Sequence, residues 1–248
     1  MTRAVVLVDL DDTLFQTLRK RPADVPETEL TPMAAARDGA PLGFATPRQL
    51  RFLRWLSHDA AVIPVTARSL DALRRVHIPF TEAICAHGAV LLDEEGRPDP
   101  AWAEAIEAEA ARHAPTLADL RSQAEASSRG AGCELQIRLQ AEDGVDLYLL
   151  LKHPRADDAA LSQVVRTLPA PDGWTLHRNG NNAAYLPPYM GKQHAVARLL
   201  PSLRRRYPGV PVIGVGDSLT DAPFMALCDY AMTPCGSQLG GALLGPAG

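Results

Sequence analysis

Residues 4–15 read AVVLVDLDDTLF, an apolar run that passes directly into a cluster of carboxylates. An uninterrupted Val-rich run is typical of a strand buried on both faces of a parallel sheet. Because side chains alternate along an extended backbone, Asp9 and Asp11 point to the same side, where their charges repel unless a cation lies between them. Ligands of open α/β sheets bind at the carboxyl ends of the strands, so this stretch indicates a metal-assisted site. A solvated acidic turn explains the pair alone equally well.

The composition excludes several classes of protein. The 248 residues are 46% hydrophobic and 22% charged, which leaves room for one large or two moderate soluble domains. The net charge is −4, and the three arginines at 204–206 are better explained as the positive last turn of a helix than as a nucleic-acid footprint. No apolar segment is long enough to span a membrane, and the N-terminal apolar run is too short for a signal peptide. We therefore expect a cytoplasmic protein with no nucleic-acid or membrane partner.

Two later apolar runs end in polar residues in the same way. Residues 61–65 predict a second buried strand, which ends at Thr66, and residues 211–215 predict another, which ends at residues 216–221, GDSLTD. Lys192 begins a predicted helix between them. If these strands are parallel neighbours of the first, their ends meet at one edge of the sheet. The pattern predicts a Rossmann-like α/β core, with helices on both faces of a parallel sheet.

Weaker signals predict the remaining parts of the core. A polar, Pro-rich stretch at 16–45 contains the turn dipeptide Asp-Gly at 38–39, which predicts a hairpin flap. The Thr-Pro pair at 46–47 supplies the N-cap and the first residue of a helix. Residues 83–86 predict a third short strand, and the glycine-rich tail after Cys235 holds little information.

Residues 91–186 differ in pattern and are predicted to form an inserted α+β domain, which leaves residues 1–90 and 187–248 as the core. The predicted elements of the insert are, in order, a helix from residue 100 to about 113, a helix from 115 to about 128, strands at 133–140 and 145–152, a helix over 157–168 and a hairpin at 179–180. The two strands alternate in polarity, which is typical of an antiparallel sheet with one face in water.

The residues at the strand ends suit phosphoryl chemistry. Carboxylate oxygens that fill only part of a coordination shell suit Mg²⁺, which takes its other ligands from water and a phosphate. The hydroxyl of Thr66 and the ammonium of Lys192 suit the spread negative charge of a phosphoryl group. Each residue alone has a simpler explanation: Lys192 as a solvated helix residue, Thr66 as a strand-end hydroxyl, and Asp217 and Asp221 as caps of the next helix. Their occurrence together favours metal-assisted phosphoryl transfer.

Four segments, in order along the chain, resemble the four motifs of the haloacid dehalogenase (HAD) superfamily: residues 9–13 (DLDDT), residues 66–68 (TAR), Lys192 and residues 216–221 (GDSLTD). The insert lies between the second and third motifs, where the sucrose-phosphatase-like and Cof-like phosphatases carry a type 2 cap. It resembles that cap in position and layout.

The resemblance implies catalytic roles. Asp9 would be the nucleophile that forms an aspartyl-phosphate, and Asp11 would protonate the leaving oxygen and then activate the hydrolytic water. Thr66 and Lys192 would hold the phosphoryl oxygens. The dehalogenases of the superfamily lack the acid/base carboxylate two residues after the nucleophile, so Asp11 favours phosphate chemistry.

The resemblance also implies a Mg²⁺ site. Asp9, the backbone carbonyl of Asp11 and Asp217 would coordinate the ion, and Asp221 would support the metal shell. The chain departs from the family pattern at Asp12, where glycine is frequent.

Four further residues could contact the leaving group. Arg178 and Asn182 flank the predicted hairpin of the insert, and a cap hairpin is where a leaving group would be recognised. Arg37 lies on the predicted flap, and His87 stands where related phosphatases often have Asn. The simpler interpretation is that Arg178 and Asn182 build the hairpin turn itself.

The expected function is that of a Mg²⁺-dependent phosphomonoester hydrolase. The expected partner is a small phosphate ester such as a sugar phosphate, because a cap would limit the access of larger substrates. Two alternatives stay open: a phosphomutase or phosphotransferase of the same architecture, and a non-catalytic regulator that binds Mg²⁺ or phosphate. The sequence makes no prediction of the oligomeric state.

Overall fold

The computed structural model describes residues 2–80 and 82–245. These residues form twelve β-strands and seven α-helices. The strands are β1 (Ala4–Val8), β2 (Thr31–Ala35), β3 (Pro41–Ala45), β4 (Ala60–Pro64), β5 (Ala83–Cys85), β6 (Val90–Leu92), β7 (Gln136–Glu142), β8 (Val145–Lys152), β9 (Thr175–Asn179), β10 (Asn182–Leu186), β11 (Val212–Val215) and β12 (Tyr230–Met232). The helices are α1 (Pro47–Asp59), α2 (Leu70–Leu73), α3 (Pro100–Gly130), α4 (Asp158–Thr167), α5 (Lys192–Arg206), α6 (Ala222–Met225) and α7 (Gln238–Leu244).

Four parallel strands form the central sheet, in the order β12-β11-β1-β4. Val6 and Val8 of β1 pack into a cluster with Leu56 of α1, whereas Val5 and Leu7, which alternate with them, are buried on the other face. Burial on both faces explains the continuous apolar run of this strand. The predicted parallel α/β core is confirmed, and the carboxyl ends of β1, β4 and β11 lie side by side.

The third predicted core strand, β5, joins this sheet through one parallel bridge between Val65 and Ile84, and it pairs antiparallel with β6. The chain then makes a tight turn with positive φ at Ala86 (50°), His87 (54°) and Gly88 (95°). The left-handed region is uncommon for residues other than glycine, so the backbone of Ala86 and His87 is strained. The N–H of His87 donates to the carbonyl of Thr66 at 3.3 Å, which attaches this turn to the end of β4.

The predicted flap and helix start are both present. Strands β2 and β3 pair antiparallel, and Gly39 in the turn between them has a φ of +85°. The hydroxyl of Thr46 accepts a hydrogen bond from the N–H of Gln49, and the Gln49 side chain accepts one from the N–H of Thr46 at 2.8 Å. This capping box, followed by Pro47, fixes the first residue of α1.

The second compact unit spans Pro100–Gly191. Its antiparallel sheet has the order β7-β8-β10-β9. Leu120 of α3, Leu161 of α4, and Leu149 and Tyr185 of the sheet are buried in one apolar cluster. Helices therefore cover one face of the sheet, which explains the alternating polarity of its strands.

The prediction of two separate helices at the start of this unit is wrong. Residues 100–130 form one helix rather than two, with Pro115 inside it. Proline removes one hydrogen bond of the helix, but Ile106, Ala110, Leu117 and Leu120 are buried at helical spacing on both sides of it. The shared apolar face keeps the helix continuous through the proline.

The compact unit Pro100–Gly191 begins and ends a few residues later than the predicted insert at 91–186. Residues up to Asp99 belong to the core unit because β6 pairs with β5 and the N–H of Asp99 donates to the carbonyl of Leu91 at 2.8 Å. At the other end, the Tyr189 hydroxyl donates to the carbonyl of Leu147 in β8 at 3.2 Å, so residues 187–191 stay with the second unit.

Helix α7 lies in the tail, for which the sequence pattern makes no prediction. Ser237 caps it, since the N–H of Gly240 donates to the Ser237 hydroxyl at 3.0 Å, and Leu239 is buried. The N–H of Leu239 also donates to the carbonyl of Asp217 at 2.8 Å. The tail therefore supports the loop that follows β11. Within residues 2–80 and 82–245, no helix is both long enough and apolar enough to cross a membrane.

Candidate active site

A buried ion-pair cluster lies at the carboxyl ends of the central strands. The ammonium of Lys192, the first residue of α5, is 2.5 Å from Asp9 Oδ1 and 2.6 Å from Asp221 Oδ1. The side chains of all three residues are at most 8% exposed. Asp9 follows β1 and Asp221 follows β11, so residues up to 212 positions apart in the chain share one cation. The structure thus brings these three predicted residues together.

Asp221 braces the loop after β11. Its Oδ2 accepts hydrogen bonds from the Ser218 hydroxyl at 2.6 Å, the Ser218 N–H at 3.0 Å and the Asp217 N–H at 3.3 Å. Both of its oxygens are therefore engaged, one by Lys192 and one by the loop. This arrangement makes Asp221 a support for the site and leaves ligation of a metal chiefly to its neighbours.

Gly216 makes the close packing of this loop possible. A Cβ atom at this position would lie 2.5 Å from Asp221 Cβ and 2.9 Å from Asp221 Cγ, well inside van der Waals contact. The loop backbone and the Asp221 carboxylate are joined by hydrogen bonds, so neither can move away from an added Cβ without a cost in free energy.

Gly216→Ala is expected to lower the free energy of unfolding by about 1–3 kcal/mol through overpacking, measured by denaturant unfolding. Gly236→Ala is the matched control, since among the described atoms none lies within 4 Å of its added Cβ. The control is expected to stay within about 0.5 kcal/mol of the wild type. Equal stability of the two variants would contradict the steric role of Gly216.

Thr13 and Asp217 complete the cluster. The Thr13 hydroxyl lies 3.3 Å from Asp9 Oδ2 and 3.2 Å from Asp217 Oδ1, so it bridges the two carboxylates. Burial, with the charge of Asp221, raises the pKa of Asp217 to about 6. Burial also raises the pKa of Asp9 well above its usual range, although Lys192 opposes the effect.

Lys192 and Asp221 are shifted toward their charged forms. Burial disfavours the ammonium, but the charges of Asp9 and Asp221 outweigh it and raise the pKa of Lys192. Burial likewise disfavours the Asp221 carboxylate, but Lys192 and the hydrogen bonds from Ser218 outweigh it and lower the pKa of Asp221. The cluster has three carboxylates and one ammonium, so it keeps an excess of buried negative charge.

These residues fit a divalent cation. Carboxylate oxygens of Asp9, Asp217 and Asp221 all lie within 4.8 Å of one another. Hard oxygen donors suit Mg²⁺, and the raised pKa values of Asp9 and Asp217 are those of buried charges that their neighbours do not fully compensate. A bound cation would supply that compensation.

Asp11 and Thr66 are linked by an arginine whose role the sequence did not predict. Arg68 Nε and Nη2 donate to the two oxygens of Asp11 at 2.7 and 2.8 Å. The N–H of Arg68 donates to the Thr66 hydroxyl at 3.2 Å. The signal that could have indicated this residue was its position two residues after Thr66, at the end of a neighbouring strand. The sequence motifs that contain Thr13 and Ser218 likewise do not predict the hydrogen bonds that these two residues form.

Asp12 adopts a backbone conformation that favours glycine, the residue that is frequent here in the motif that this segment resembles. Its φ is +63°, in the left-handed region that favours glycine and that Asp tolerates better than most residues. Its carboxylate forms an ion pair with Lys20.

The four residues predicted to contact the leaving group make their observed contacts within their own compact units. Arg37 is exposed and pairs with Asp71 at 3.2 Å. Arg178, in the second unit, pairs with Asp158 at 2.6 Å. Asn182 begins β10 and pairs in register with Lys152. His87 is buried in the strained turn after β5. The contacts of Arg37 and Arg178 orient both side chains within their own units.

No protein-family model matches this chain, and no curated protein matches it in sequence. Two of the solved structures that are similar to this chain illustrate its fold. One is the C-terminal domain of trehalose-6-phosphate phosphatase from C. albicans, with a TM-score of 0.56 and 15% identity over 90% of this chain and 73% of that one. The other is the sucrose-phosphatase from Synechocystis sp. PCC6803 in complex with sucrose and phosphate, with a TM-score of 0.52 and 15% identity over 98% and 96% of the two chains. At this identity the likeness is one of fold.

Proposed function

We propose that this chain, whose fold is that of a HAD superfamily phosphatase with an inserted cap domain, is a Mg²⁺-dependent phosphomonoester hydrolase. The observation that carries the proposal is the meeting of Asp9, Lys192 and Asp217 at one edge of the sheet, with Asp11 two residues after Asp9. A buried carboxylate nucleophile needs neighbouring positive charge to approach a phosphate, and Lys192 supplies part of it.

The first step transfers the phosphoryl group to Asp9. One oxygen of Asp9 attacks the phosphorus, and the bond from phosphorus to the ester oxygen breaks with its electron pair on that oxygen. Asp11 gives a proton to the leaving oxygen, so the products are a free alcohol and an aspartyl-phosphate.

The second step restores the enzyme. A water oxygen attacks the phosphorus while Asp11, now a carboxylate, takes the proton of that water. The bond between phosphorus and the Asp9 oxygen breaks, and inorganic phosphate leaves. Both carboxyl groups return to their starting protonation states.

The other site residues act on the charge of the phosphoryl group. Lys192 fixes Asp9 through its 2.5 Å contact and supplies a cation, and the Thr66 hydroxyl can donate to a phosphoryl oxygen. Bound Mg²⁺, held by Asp9, Asp217 and the backbone carbonyl of Asp11, would neutralise phosphoryl charge in the manner of other phosphoryl-transfer sites.

A small phosphate ester, such as a sugar phosphate, is the proposed substrate. Two of the solved structures that share the fold are named as a trehalose-6-phosphate phosphatase and a sucrose-phosphatase, which supports this class. The net charge of −4 disfavours a polyanion such as nucleic acid.

Purified protein is expected to release inorganic phosphate from one or more members of a phosphometabolite panel with Mg²⁺, and not with EDTA. Asp217→Asn is expected to raise the Mg²⁺ concentration for half-maximal activity by at least about tenfold, because a neutral amide is a weaker ligand than a carboxylate. Asp24→Asn, a change in an exposed ion pair with Arg48, is the control and should leave the Mg²⁺ dependence unchanged.

The same experiment separates the alternatives. Conversion of a phosphosugar to an isomer without phosphate release would identify a phosphomutase. Absence of turnover across the panel with any divalent cation would overturn the hydrolase and favour a binding protein.

A further inference from the structure

We propose that Arg68 is a positioning residue, which holds Asp11 in the orientation that serves the leaving oxygen. The proposal rests on the hydrolase function above. It adds to that function a residue that acts through Asp11 without touching the reacting atoms.

The contact between the two side chains is a two-point fork. Arg68 Nε lies 2.7 Å from Asp11 Oδ2, and Arg68 Nη2 lies 2.8 Å from Asp11 Oδ1. Two parallel hydrogen bonds from a planar guanidinium fix the plane of a carboxylate as well as its position, which a single contact cannot do. The partners are 57 residues apart in the chain, so the fork links the end of β1 to the end of β4.

Arg68 is itself held on several sides. Its side chain is 13% exposed, and its guanidinium carbon lies 5.1 Å from the centre of the Phe15 ring. Its carbonyl accepts a hydrogen bond from the N–H of Ala86 at 2.6 Å, and its N–H donates to the Thr66 hydroxyl. Because the guanidinium has little freedom to move, it can fix the orientation of the Asp11 side chain.

Asp11 has less support of its own. Its side chain is 35% exposed, and the next residue, Asp12, adopts a left-handed conformation in the turn after β1. Without the fork, the Asp11 side chain would be able to rotate into solvent. When Asp11 carries the proton for the leaving oxygen, its other oxygen can still accept a hydrogen bond from Arg68, so the guanidinium orients Asp11 in both protonation states. Loss of Arg68 would therefore leave the leaving oxygen without a positioned proton donor in part of the population.

The position of Arg68 also orients Thr66. Because the Thr66 oxygen accepts from the N–H of Arg68, the hydroxyl proton is directed elsewhere and can be donated to a phosphoryl oxygen. One residue thus orders both the proton donor for the leaving group and a donor for the phosphoryl group.

The effect of losing Arg68 should depend on the leaving group. An alkoxide needs a proton as the bond to phosphorus breaks, whereas p-nitrophenolate is stable enough to leave with little assistance. The ratio kcat/KM reports the steps up to the departure of the leaving group and excludes the later hydrolysis. General acid catalysis contributes roughly 10²–10⁴-fold, so partial loss of orientation should be measurable as a change in this ratio.

The experiment compares kcat/KM for glycerol 2-phosphate, or another alkyl phosphate that the wild type hydrolyses, with kcat/KM for p-nitrophenyl phosphate. Arg68→Met is expected to reduce the alkyl value by about tenfold more than the aryl value. Arg206→Met is the matched control: this arginine is 24% exposed and pairs with Glu82 at 2.7 Å, and its loss should not change the ratio of the two values.

Two further variants distinguish an effect of Arg68 on the orientation of Asp11 from an effect on folding. Arg68→Lys keeps the charge and an aliphatic stem but cannot form the fork, so it should show the same leaving-group dependence in a folded protein. In the Asp11→Asn background, Arg68→Met should cause no further change in the alkyl-to-aryl ratio, because its effect passes through Asp11.

Equal losses for both esters in Arg68→Met and Arg68→Lys would overturn the positioning role while leaving the hydrolase in place. Additive losses in the double variant would do the same. If the wild type released no phosphate from either ester, the hydrolase proposal would be contradicted, and the proposed role of Arg68 would be contradicted with it.

Discussion

Asp9→Asn is expected to lower kcat for phosphate release by at least about a thousandfold, with the chain still folded. The amide has no anionic oxygen to attack phosphorus, so no aspartyl-phosphate can form. It is also a poorer metal ligand than the carboxylate. Steady-state phosphate release at saturating Mg²⁺ measures the effect.

The stability of this variant should be unchanged or slightly higher in the absence of divalent cations. Asp9 lies in a cluster with an excess of buried negative charge, and burial raises its pKa. Neutralising it removes that cost, while Lys192 keeps Asp221 as a partner at 2.6 Å. A normal unfolding transition would therefore show that the lost activity is chemical in origin.

Asp59→Asn serves as the control for Asp9→Asn, because Asp59 is 45% exposed at the end of α1 and pairs loosely with Arg3. It should retain wild-type activity. If Asp9→Asn kept more than about a tenth of the wild-type rate, the nucleophile would have to be another group.

Local sequence signals were sufficient for most of the core. The apolar runs of β1, β4 and β11 give the buried parallel strands, and Thr46 with Gln49 gives the start of α1. These signals are strong because each lies within a few residues of the feature that it predicts. The residues expected to carry chemistry stood at strand ends, and parallel strands bring such ends to one edge.

The missed features depend on contacts that the local sequence does not show. Pro115 usually ends a helix, but burial on both sides of it keeps α3 continuous. Helix α7 contains two consecutive glycines, which lowers its propensity, yet it is stabilised by the cap at Ser237 and the burial of Leu239.

The pairings between side chains in the site also depend on contacts that the local sequence does not show. Arg68 could be quoted as part of a motif, but its partner lies 57 residues away and is chosen by the fold. Likewise, the motif gave Asp221 as a support for a metal, whereas the structure shows what its two oxygens hold: Lys192 and the Ser218 loop. Sequence position indicates which side chains reach the edge of the sheet, and packing determines which of them face each other.

Lys192→Met is expected to lower the free energy of unfolding by about 3–5 kcal/mol in the absence of divalent cations, the range for breaking a buried ion pair. The side chains of Asp9 and Asp221 are at most 7% exposed, and both would lose their shared cation. The Lys192 ammonium also lies 5.7 Å from the centre of the Phe224 ring. Methionine is similar in length to lysine and can pack against an aromatic ring, so the change is mainly one of charge.

The pH dependence of this loss has a defined sign. In the variant, the pKa values of the two uncompensated carboxyls should lie above their values in the unfolded chain. Groups of this kind bind more protons in the folded state, so stability rises as pH falls. The difference from the wild type should therefore be largest near pH 8 and should shrink toward pH 5. Denaturant unfolding at several pH values measures it, with Lys20→Met, a 46% exposed lysine paired with Asp12, as the control.

A double variant distinguishes charge from packing. If the loss in Lys192→Met comes from orphaned carboxylates, adding Asp9→Asn removes one of them and should restore part of the stability, about 1–2 kcal/mol. Added Mg²⁺ should stabilise the single variant for the same reason, since a cation near Asp9 and Asp217 compensates the same charge. A double variant as unstable as Lys192→Met would place the loss in packing against Phe224, and the view of Lys192 as the shared cation of this cluster would be wrong.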